Sequence, residues 1–337
     1  MLNFRFIANY FLILIAGFII LSSCDRAAEK ASAKDGEPSG DLIIFNAGSL
    51  SVPMKQLADT FQLMYPRVNI LAEASGSVAC VRKITDFHRA CDILASADYS
   101  IIDKMLIPEY ASWNIKFVSN EMSIVFTDKS RYAKEINSKN WYEILMRSDV
   151  SFGRSDPNAD PCGYRTVLML QLAEKYYAKP GLASEFLKKD NRFMRPKEVD
   201  LLSLLETNTI DYIFIYRSVA VQHKLKFLSL ADEINLRNPG MSGLYNSVSV
   251  EINGDKPGKK ITQRGEPAVY GITVLRDAPN KKAAMLFLNF LLSKDKGMKI
   301  MEKCGQASVI PAYTSTFDSI PPILQQFARK TNITPPE

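Results

Sequence analysis

Between residues 42 and 105, apolar and polar positions alternate in blocks that predict three strands, each followed by a helix. Runs of four or five apolar residues are typical of buried strands, whereas apolar residues three or four positions apart form one face of a helix. The predicted strands span residues 42–45, 68–71 and 91–95, and the predicted helices span 51–65, 78 to about 89, and a segment that begins at 101–105. Strands and helices that alternate over short connections indicate a parallel sheet covered by helices.

The chain after residue 115 shows the same two periodicities and predicts a second α/β unit. The predicted strands span residues 117–118, 122–126, 150–153, 211–216, 248–252 and 269–275, and the predicted helices span 164–177, 199–206, 218–225 and 281–292. Residues 253–267 are polar and rich in glycine and proline, which favours a loop. We therefore expect an α/β protein with two lobes and a central cleft, joined by hinge strands. Lobe 1 would contain residues 41–126 and 268–337, and lobe 2 residues 127–267.

The first 40 residues have the pattern of an export signal followed by a tether. Arg5 precedes an apolar stretch over residues 10–21, which is about as long as a signal h-region and short for a membrane span. The Leu-Ser-Ser-Cys sequence at 21–24 resembles the cleavage box of bacterial lipoproteins. We expect residues 1–23 to be a lipoprotein signal peptide, Cys24 to be lipidated and residues 24–40 to be a flexible tether. The protein would then be anchored to the cell membrane and face the periplasm or exterior. The alternative is an uncleaved N-terminal anchor.

Composition and motifs argue against two functional classes, nucleic-acid binding and ATP hydrolysis. The 42 Lys and Arg and 36 Asp and Glu give a net charge of +6, spread along the chain without a basic block interleaved with aromatic residues. Nucleic-acid binding is therefore not expected. The chain has no G-x-x-x-x-G-K-[ST] motif, so we do not expect it to hydrolyse ATP.

Cysteine usage suggests neither zinc nor another cofactor. If Cys24 carries lipid, four of the five cysteines remain, and no Cys-x-x-Cys or Cys/His cluster is present. Cys80 and Cys91 are the nearest pair. A helix between them would separate their Cα atoms by more than roughly 10 Å, so a Cys80–Cys91 disulfide stays open.

Three short turns precede predicted helices and indicate an anion site. They contain Gly48-Ser49, Gly76-Ser77 and Asp160-Pro161-Cys162. Helix N-termini present unpaired N–H groups and partial positive charge, so they bind oxyanions without Lys or Arg. The alternative for each serine is simple helix capping. The candidate oxyanion-binding residues are Gly48, Ser49, Ser77, Asp160, Pro161 and Cys162, with Ser218 and Tyr245 as two further candidates.

Asp160 is unusual in such a site because an ionised carboxylate repels an anion. It can point away, hold a proton, or bond directly to a metal atom at the centre of the oxyanion. The third arrangement suits molybdenum or tungsten, whose coordination shell expands beyond four oxygens, and it is closed to sulfate and phosphate.

Several stretches resemble one known family. They are residues 46–50, 75–77, 92–99, 156–165, 216–220 and 270–273, of which Asp-Pro-Cys-Gly-Tyr-Arg at 160–165 is the most specific. The chain from about residue 41 to 320 looks like the archaeal-type molybdate/tungstate-binding proteins of ABC transporters, which are periplasmic solute-binding proteins. This resemblance implies a type II periplasmic binding-protein fold and an oxyanion held by the first six candidates above, with Asp160 as a direct ligand of molybdenum or tungsten. The family's second carboxylate falls at Ile215, so the resemblance leaves the coordination number open.

We therefore expect a lipid-anchored, extracytoplasmic solute-binding protein that captures tungstate or molybdate and docks on a membrane ABC permease. It would not be an enzyme. The alternatives are a binding protein for another oxyanion, sulfate or phosphate, and an enzyme with Cys162 as nucleophile. The only histidines, His88 and His223, would be the candidate bases for such an enzyme.

Overall fold

The computed structural model of the protein describes residues 37–189, 191–254 and 258–331. The chain from Ser39 onward forms one compact unit. Within the described ranges, no helix combines the length and the apolar character needed to cross a bilayer. Cys24 and the predicted signal peptide lie outside the described residues, as does the predicted tether up to residue 36.

Strands and short helices alternate along the described chain. The strands are β1 (Gly40–Ala47), β2 (Val68–Ser75), β3 (Ile93–Ser96), β4 (Ile115–Ser119), β5 (Met122–Phe126), β6 (Phe152–Ser155), β7 (Met194–Arg195), β8 (Tyr212–Tyr216), β9 (Lys226–Leu228), β10 (Ser249–Asn253), β11 (Lys260–Arg264), β12 (Val269–Val274), β13 (Ala307–Ser308), β14 (Ala312–Thr314) and β15 (Ala328–Lys330). The α-helices are α1 (Ser51–Met64), α2 (Ser77–Thr85), α3 (Tyr99–Met105), α4 (Trp141–Leu145), α5 (Pro161–Tyr176), α6 (Leu182–Lys188), α7 (Leu201–Glu206), α8 (Arg217–His223), α9 (Asp232–Asn235), α10 (Ser242–Tyr245), α11 (Lys281–Leu292), α12 (Gly297–Lys303) and α13 (Pro322–Gln325). Short 3₁₀ turns lie at Gly48–Leu50, Asn191–Phe193, Glu198–Asp200, Pro239–Met241 and Phe317–Ser319.

Two mixed sheets form the cores of the two lobes. The lobe 1 sheet has the order β13-β4-β12-β3-β1-β2, and the lobe 2 sheet has the order β7-β6-β8-β5-β9. In lobe 1 the strands β1, β2 and β3 are parallel, whereas β12 runs antiparallel between β3 and β4. In lobe 2, β8 lies parallel to β6 and antiparallel to β5.

The lobe 2 sheet is buried on both faces. Every residue of β5 and β8 is buried, as expected for central strands covered by helices. The Phe214 ring on β8 lies 6.2 Å from Trp141, 5.5 Å from Phe152 and 6.1 Å from Phe186, centroid to centroid. This aromatic cluster holds β8 in place beneath the start of α5.

The strand register brings two of the predicted anion turns side by side. Ala47 at the end of β1 pairs with Ser75 at the end of β2, so the turns at Gly48 and Gly76 leave the sheet at the same edge. Ligands in open α/β sheets bind beyond the carboxyl ends of parallel strands, which is where both turns lie.

The structure departs from the sequence-based boundaries in three places. Strand β5, predicted as the last part of lobe 1, pairs with β8 and belongs to the lobe 2 sheet, so the first crossing lies between β4 and β5. Residues 253–267, predicted as loop, contain β11, which forms an antiparallel hairpin with β10. Helix α2 ends at Thr85 rather than near residue 89, and Phe87, whose spacing extended the predicted helix, is 72% exposed.

The open question of the Cys80–Cys91 disulfide is answered by the structure. Both side chains are buried free thiols. The Sγ of Cys80 contacts the Asn46 carbonyl oxygen at 3.6 Å, and the Sγ of Cys91 contacts the Ile93 carbonyl oxygen at 3.2 Å. The two cysteines therefore contribute to packing around the lobe 1 sheet.

Candidate functional site

Ser49 lies at the first predicted turn, between β1 and α1. It is fully buried, and its hydroxyl lies 2.8 Å from the hydroxyl of Tyr270 on β12. Its carbonyl oxygen accepts hydrogen bonds from Gln222 and Gln306. With the carbonyl already used, the hydroxyl and the backbone N–H groups of the turn are the groups that can face a ligand.

Ser77 occupies the equivalent place after β2. It is the first residue of α2, with Gly76 as N-cap, and it is fully buried. Its Oγ accepts a hydrogen bond of 2.9 Å from the Ala97 N–H, so the hydroxyl proton remains available to donate elsewhere. Ser77 is therefore held as a hydrogen-bond donor at the start of a helix.

Asp160 is the N-cap of α5, and Pro161 is the first helical residue, the position that proline favours. One carboxylate oxygen of Asp160 accepts from the Cys162 N–H at 3.0 Å and the other from the Glu198 N–H at 2.8 Å. The side chain is 1% exposed. The carboxyl is thus enclosed, and the three arrangements considered from sequence stay predictions.

The Cys162 side chain packs against strand β8 and is not placed to act as a nucleophile. Its Sγ lies 3.8 Å from the Phe214 carbonyl oxygen, against β8, and its backbone N–H is the group directed at Asp160. Burial raises the pKa of the Cys162 thiol well above its ordinary value, and the neighbouring Asp160 charge adds to the effect. A thiol held neutral in this way is a poor nucleophile.

Glu198 is a site residue that the sequence reasoning missed. It begins the 3₁₀ turn Glu198–Asp200, it is fully buried, and its carboxyl lies close to the Asp160 carboxyl and the Ser49 hydroxyl. The carboxyl lies against Gly48: a Cβ at that position would come within 2.7 Å of Oε2. A side chain at residue 48 would therefore displace Glu198.

The two buried carboxyls influence each other. Burial raises the pKa of Asp160, and burial followed by the nearby Asp160 charge raises the pKa of Glu198 well above its ordinary value. The Cys162 and Glu198 N–H groups stabilise the Asp160 carboxylate and oppose the effect of burial on its pKa. Both shifts favour the neutral, protonated form of the carboxyl.

The lobes meet directly around this pocket. The Ala79 N–H donates to the Ala159 carbonyl oxygen at 3.2 Å, and a Cβ on Gly76 would overlap that same oxygen. Glycine at position 76 thus permits the close approach of the two lobes. The structure is a closed form in which α2 and α5 begin opposite each other.

A buried ion pair stabilises the same contact between the two lobes. The Arg165 guanidinium on α5 lies 3.2 Å from the Asp98 carboxylate and donates to the Ala97 carbonyl oxygen at 2.5 Å. The Tyr164 hydroxyl donates to the same carboxylate oxygen, Asp98 Oδ2, at 2.6 Å. Arg165 and Tyr164 belong to lobe 2 and Asp98 to lobe 1, so these contacts span the cleft.

Of the two further candidates, the structure joins Ser218 to the site and leaves Tyr245 elsewhere. Asn120, in the crossing between β4 and β5, donates to the Ser218 hydroxyl at 2.7 Å and to the Tyr270 hydroxyl at 2.9 Å. Tyr270 in turn contacts Ser49, so the crossing is linked to the first turn. The hydroxyl of Tyr245 instead contacts the Asn238 N–H and the Asp232 carbonyl oxygen, within its own segment. Tyr270, not Tyr245, is the tyrosine at the pocket, and its place in the matched stretch 270–273 was the available sequence signal.

The pocket thus combines neutral donors with two carboxyls. Within the ranges that the structure describes, no cluster of three or more His, Cys, Asp and Glu side chains could hold a metal cation. The convergence of helix N-termini and hydroxyls suits an oxyanion. Two carboxyls in the same pocket suit an anion whose central atom accepts additional oxygen ligands.

Comparison with known proteins gives a consistent result. A family model described as bacterial extracellular solute-binding protein matches residues 42–305. A solute-binding protein of Petrotoga mobilis is 45% identical over 294 residues, covering 86% of this chain and 91% of the relative. The molybdate/tungstate-binding protein WtpA of Pyrococcus abyssi is 45% identical over 303 residues, covering 82% of this chain and 87% of the relative.

Solved structures with low sequence identity share the fold. The periplasmic molybdate-binding protein of Azotobacter vinelandii aligns with a TM-score of 0.59 at 13% identity, covering 79% of this chain and 98% of that one. The sulfate-binding protein SubI of Mycobacterium tuberculosis aligns with a TM-score of 0.54 at 12% identity, covering 86% and 92%. The predicted α/β fold of the type II periplasmic binding proteins is confirmed.

Proposed function

The chain belongs to the bacterial extracellular solute-binding protein family, and we propose that it captures molybdate or tungstate outside the cytoplasm and delivers it to an ABC importer. Its partners are then the oxyanion and a membrane permease. The relative of Pyrococcus abyssi, which is named for molybdate and tungstate, supports this ligand class.

One observation carries the proposal: Ser49, Ser77 and Asp160 are all buried at turns that precede helices, and Gly76 lies against Ala159 and Asp160 where the lobes meet. Hydroxyls and helix N–H groups bind the oxygens of any tetrahedral oxyanion. A carboxylate in the same pocket opposes sulfate or phosphate by charge. It becomes favourable only if it bonds to the central atom, as molybdenum and tungsten permit.

Binding rather than catalysis is the role that the pocket supports. The one nucleophile in the candidate set, Cys162, has a neutral buried thiol that contacts a backbone carbonyl oxygen. Closure of two lobes over a fully enclosed ligand is sufficient for capture and release, so the proposal includes neither a catalytic residue nor a resident cofactor.

The ligand is tested by calorimetric titration of residues 25–337 with tungstate, molybdate, sulfate and phosphate. We expect one-to-one binding of tungstate and molybdate and at most weak binding of the other two anions. A ligand at about 100 times its Kd should add about 2.7 kcal/mol to the free energy of unfolding. A folded protein that gave neither heat nor a thermal shift with tungstate and molybdate would refute the proposal. Equal binding of sulfate would indicate a carrier that does not distinguish among oxyanions.

We further propose that Cys24 anchors the protein by lipid on the outer side of the cell membrane. The Leu-Ser-Ser-Cys sequence at 21–24 supports this, and the distance in sequence between Cys24 and Gly48 leaves the pocket independent of the anchor. Mass spectrometry of the protein extracted from membranes should find an acylated N-terminal Cys24, and Cys24→Ser should abolish the acylation while leaving anion affinity unchanged. An intact signal segment, or an unmodified Cys24 at the mature N-terminus, would contradict the anchor.

A further inference from the structure

We propose that residues 262–266, at the end of β11 in lobe 2, form a clasp on helix α3 of lobe 1 that slows the release of the bound anion. The inference rests on the proposed function, because a clasp between the lobes matters only if they close over a ligand. It assigns a part in ligand release to Tyr99 and Lys104, two residues of α3 that are not among the candidate anion-binding residues.

Helix α3 is fixed to lobe 1. The Asn114 side chain donates to the Tyr99 carbonyl oxygen at 2.9 Å and to the Asp103 carboxylate at 3.0 Å. The start of the helix also lies against β12, where a Cβ at Gly271 would come within 2.7 Å of the Tyr99 Cα. The helix is therefore part of lobe 1 and moves with it when the lobes separate about their hinge.

The clasp is fixed to lobe 2. Within it, the Gly265 N–H donates to the Val248 carbonyl oxygen at 3.0 Å. Strand β10, the antiparallel partner of β11, is held on α5 by Gln171, which donates to the Ser249 carbonyl oxygen at 3.1 Å. The clasp therefore follows α5 and the rest of lobe 2 when the cleft opens.

Two side chains of α3 contact the clasp. The Tyr99 hydroxyl donates to Glu266 Oε2 at 2.7 Å. The Lys104 ammonium group donates to Gln263 Oε1 at 2.5 Å and reaches the Thr262 carbonyl oxygen at 3.4 Å. Each of these contacts joins a residue of one lobe to a residue of the other, so opening of the cleft has to break them.

The surroundings of these groups favour a lasting contact. Burial, followed by the nearby Glu266 charge, raises the pKa of Tyr99, so its hydroxyl keeps the proton that it donates. The Lys116 ammonium group lies 3.9 Å from the centroid of the Tyr99 ring and restricts its movement. Gln263 is 2% exposed, whereas its two neighbours on β11 are exposed. Hydrogen bonds with one charged partner are stronger than neutral ones, and both α3 side chains form such bonds.

The clasp can be changed without changing the candidate anion site. Asp98, the N-cap of α3, pairs with Arg165 of lobe 2, and the clasp contacts lie farther along the same helix. An anion enters while the cleft is open and leaves only after the cleft has opened again. Contacts that form on closure therefore slow release and leave the rate of entry unchanged.

The experiment measures how fast the full-length protein releases radioactive molybdate into an excess of unlabelled molybdate, together with the Kd by calorimetry. Tyr99→Phe removes only the hydroxyl, and Lys104→Met removes the ammonium group. We expect each variant to raise the release rate and the Kd by the same factor, at least about threefold, and the double variant to raise both at least about tenfold. The association rate, which is the release rate divided by the Kd, should equal that of the wild type.

Matched controls remove similar contacts that lie within one lobe. Tyr132→Phe removes a hydroxyl that donates to Asp149 at 2.9 Å within lobe 2. Lys55→Met removes an ammonium group that pairs with Asp59 at 2.8 Å within α1. Both controls should release molybdate at the wild-type rate. Faster release in the controls, equal to that in the α3 variants, would overturn the inference, because a general loss of stability would then explain both.

Two further results would contradict the clasp. Wild-type release rates in Tyr99→Phe, Lys104→Met and their combination would overturn the inference and leave the proposed function intact. A raised Kd caused by slower association would also overturn it, because the contacts would then act on entry of the anion. Absence of molybdate and tungstate binding in the wild type would instead refute the proposed function, and the clasp with it.

Discussion

The lobe 1 wall of the cleft (Gly48, Ser49 and Ser77) and the lobe 2 wall (Asp160, Cys162 and Glu198) are built alike but offer a ligand different groups. In both, the chain leaves a strand and begins a helix at the cleft. The lobe 1 wall presents one glycine and two hydroxyls, all neutral. The lobe 2 wall presents two enclosed carboxyls within the same kind of turn.

This difference assigns separate tasks to the two walls. Neutral donors at helix N-termini stabilise any small oxyanion, since they respond to negative charge on oxygen. Carboxyls in the same place repel such an anion unless its central atom can take them as ligands. Affinity would then come mainly from lobe 1 and selectivity from lobe 2. This division of tasks can be tested by substitution in each wall and in the contact between the lobes.

The largest effect is expected from Arg165→Met, which removes the guanidinium that joins the walls. Asp98 would remain buried without its partner, and loss of one member of a buried ion pair costs about 3–5 kcal/mol. Urea denaturation should show a lower free energy of unfolding by that amount, together with weaker molybdate binding. Arg131→Met is the control, because Arg131 pairs with Asp211 inside lobe 2 and is 55% exposed; it should cost about 1 kcal/mol or less. Equal losses in the two variants would show that the Arg165 contact has no special part in closure.

Asp160→Asn is expected to have the next largest effect and acts on selectivity. Asparagine keeps the acceptor for the Cys162 N–H and so retains the helix cap, but it cannot bond to a metal as a carboxylate does. Molybdate and tungstate affinity should fall about 100-fold, or about 2.7 kcal/mol, while sulfate affinity should stay or rise.

Asp156→Asn tests whether any nearby loss of charge would do the same. Asp156 lies in the same turn, and its carboxylate accepts from the Asn158 N–H at 2.8 Å. It should leave both affinities unchanged. If Asp160→Asn moved molybdate and sulfate affinity together and only slightly, Asp160 would be a helix cap and the lobe 2 wall would not select.

Ser49→Ala and Ser77→Ala probe the lobe 1 wall. A hydrogen bond to a charged group contributes about 1.5–3 kcal/mol, so each variant should lose about one to two decades of affinity. The division of tasks predicts that molybdate and sulfate lose affinity equally, because a hydroxyl responds to oxygen charge alone. Calorimetry with both anions measures this ratio. Unchanged affinity in both variants would mean that the serines only position the turns, and an unequal loss would place selectivity in lobe 1 as well.

Periodicity in the sequence is sufficient to predict the bounds of those helices and strands that bury one continuous face. The predicted helix 281–292 coincides with Lys281–Leu292, and the predicted strand 122–126 coincides with Met122–Phe126. Both have apolar residues at the spacing of their own element, so local pattern and burial agree. The sheet to which Met122–Phe126 belongs was missed, because strand pairing depends on contacts distant in sequence.

The same distinction between local pattern and distant contacts explains which residues of the candidate site the sequence predicted. Gly48, Ser49, Ser77 and Asp160 could be identified because glycine or a capping residue just before a helix is a local signal. Tyr270 is marked only by its place in the matched stretch 270–273. Glu198 has no such signal: it resembles an ordinary acidic residue near a helix start, and only the tertiary structure places it against Gly48. Residues that reach a pocket from a distant segment stay hidden in a single sequence.

The smallest effect concerns the charge of the lobe 2 wall in the absence of ligand, and it tests whether the two walls differ even when empty. The raised pKa of Glu198 means that the folded protein keeps a proton which the unfolded chain releases above the ordinary value of 4.5. Unfolding therefore releases protons above that pH, and the free energy of unfolding should fall as pH rises, by at most about 1.4 kcal/mol per pH unit for one proton. Urea denaturation of the anion-free protein from about pH 5 to about pH 8 should show this decline, and Glu198→Gln should flatten it, whereas Asp200→Asn should keep it. Ser49→Ala should also keep the decline, since the lobe 1 wall contains no group that titrates in this range. Asp160, whose pKa burial also raises, should keep part of the decline in Glu198→Gln. A free energy of unfolding that rose with pH in the wild type, or a decline equally steep in Glu198→Gln, would show that Glu198 does not keep its proton in the folded protein and that the two walls differ less than their residues suggest.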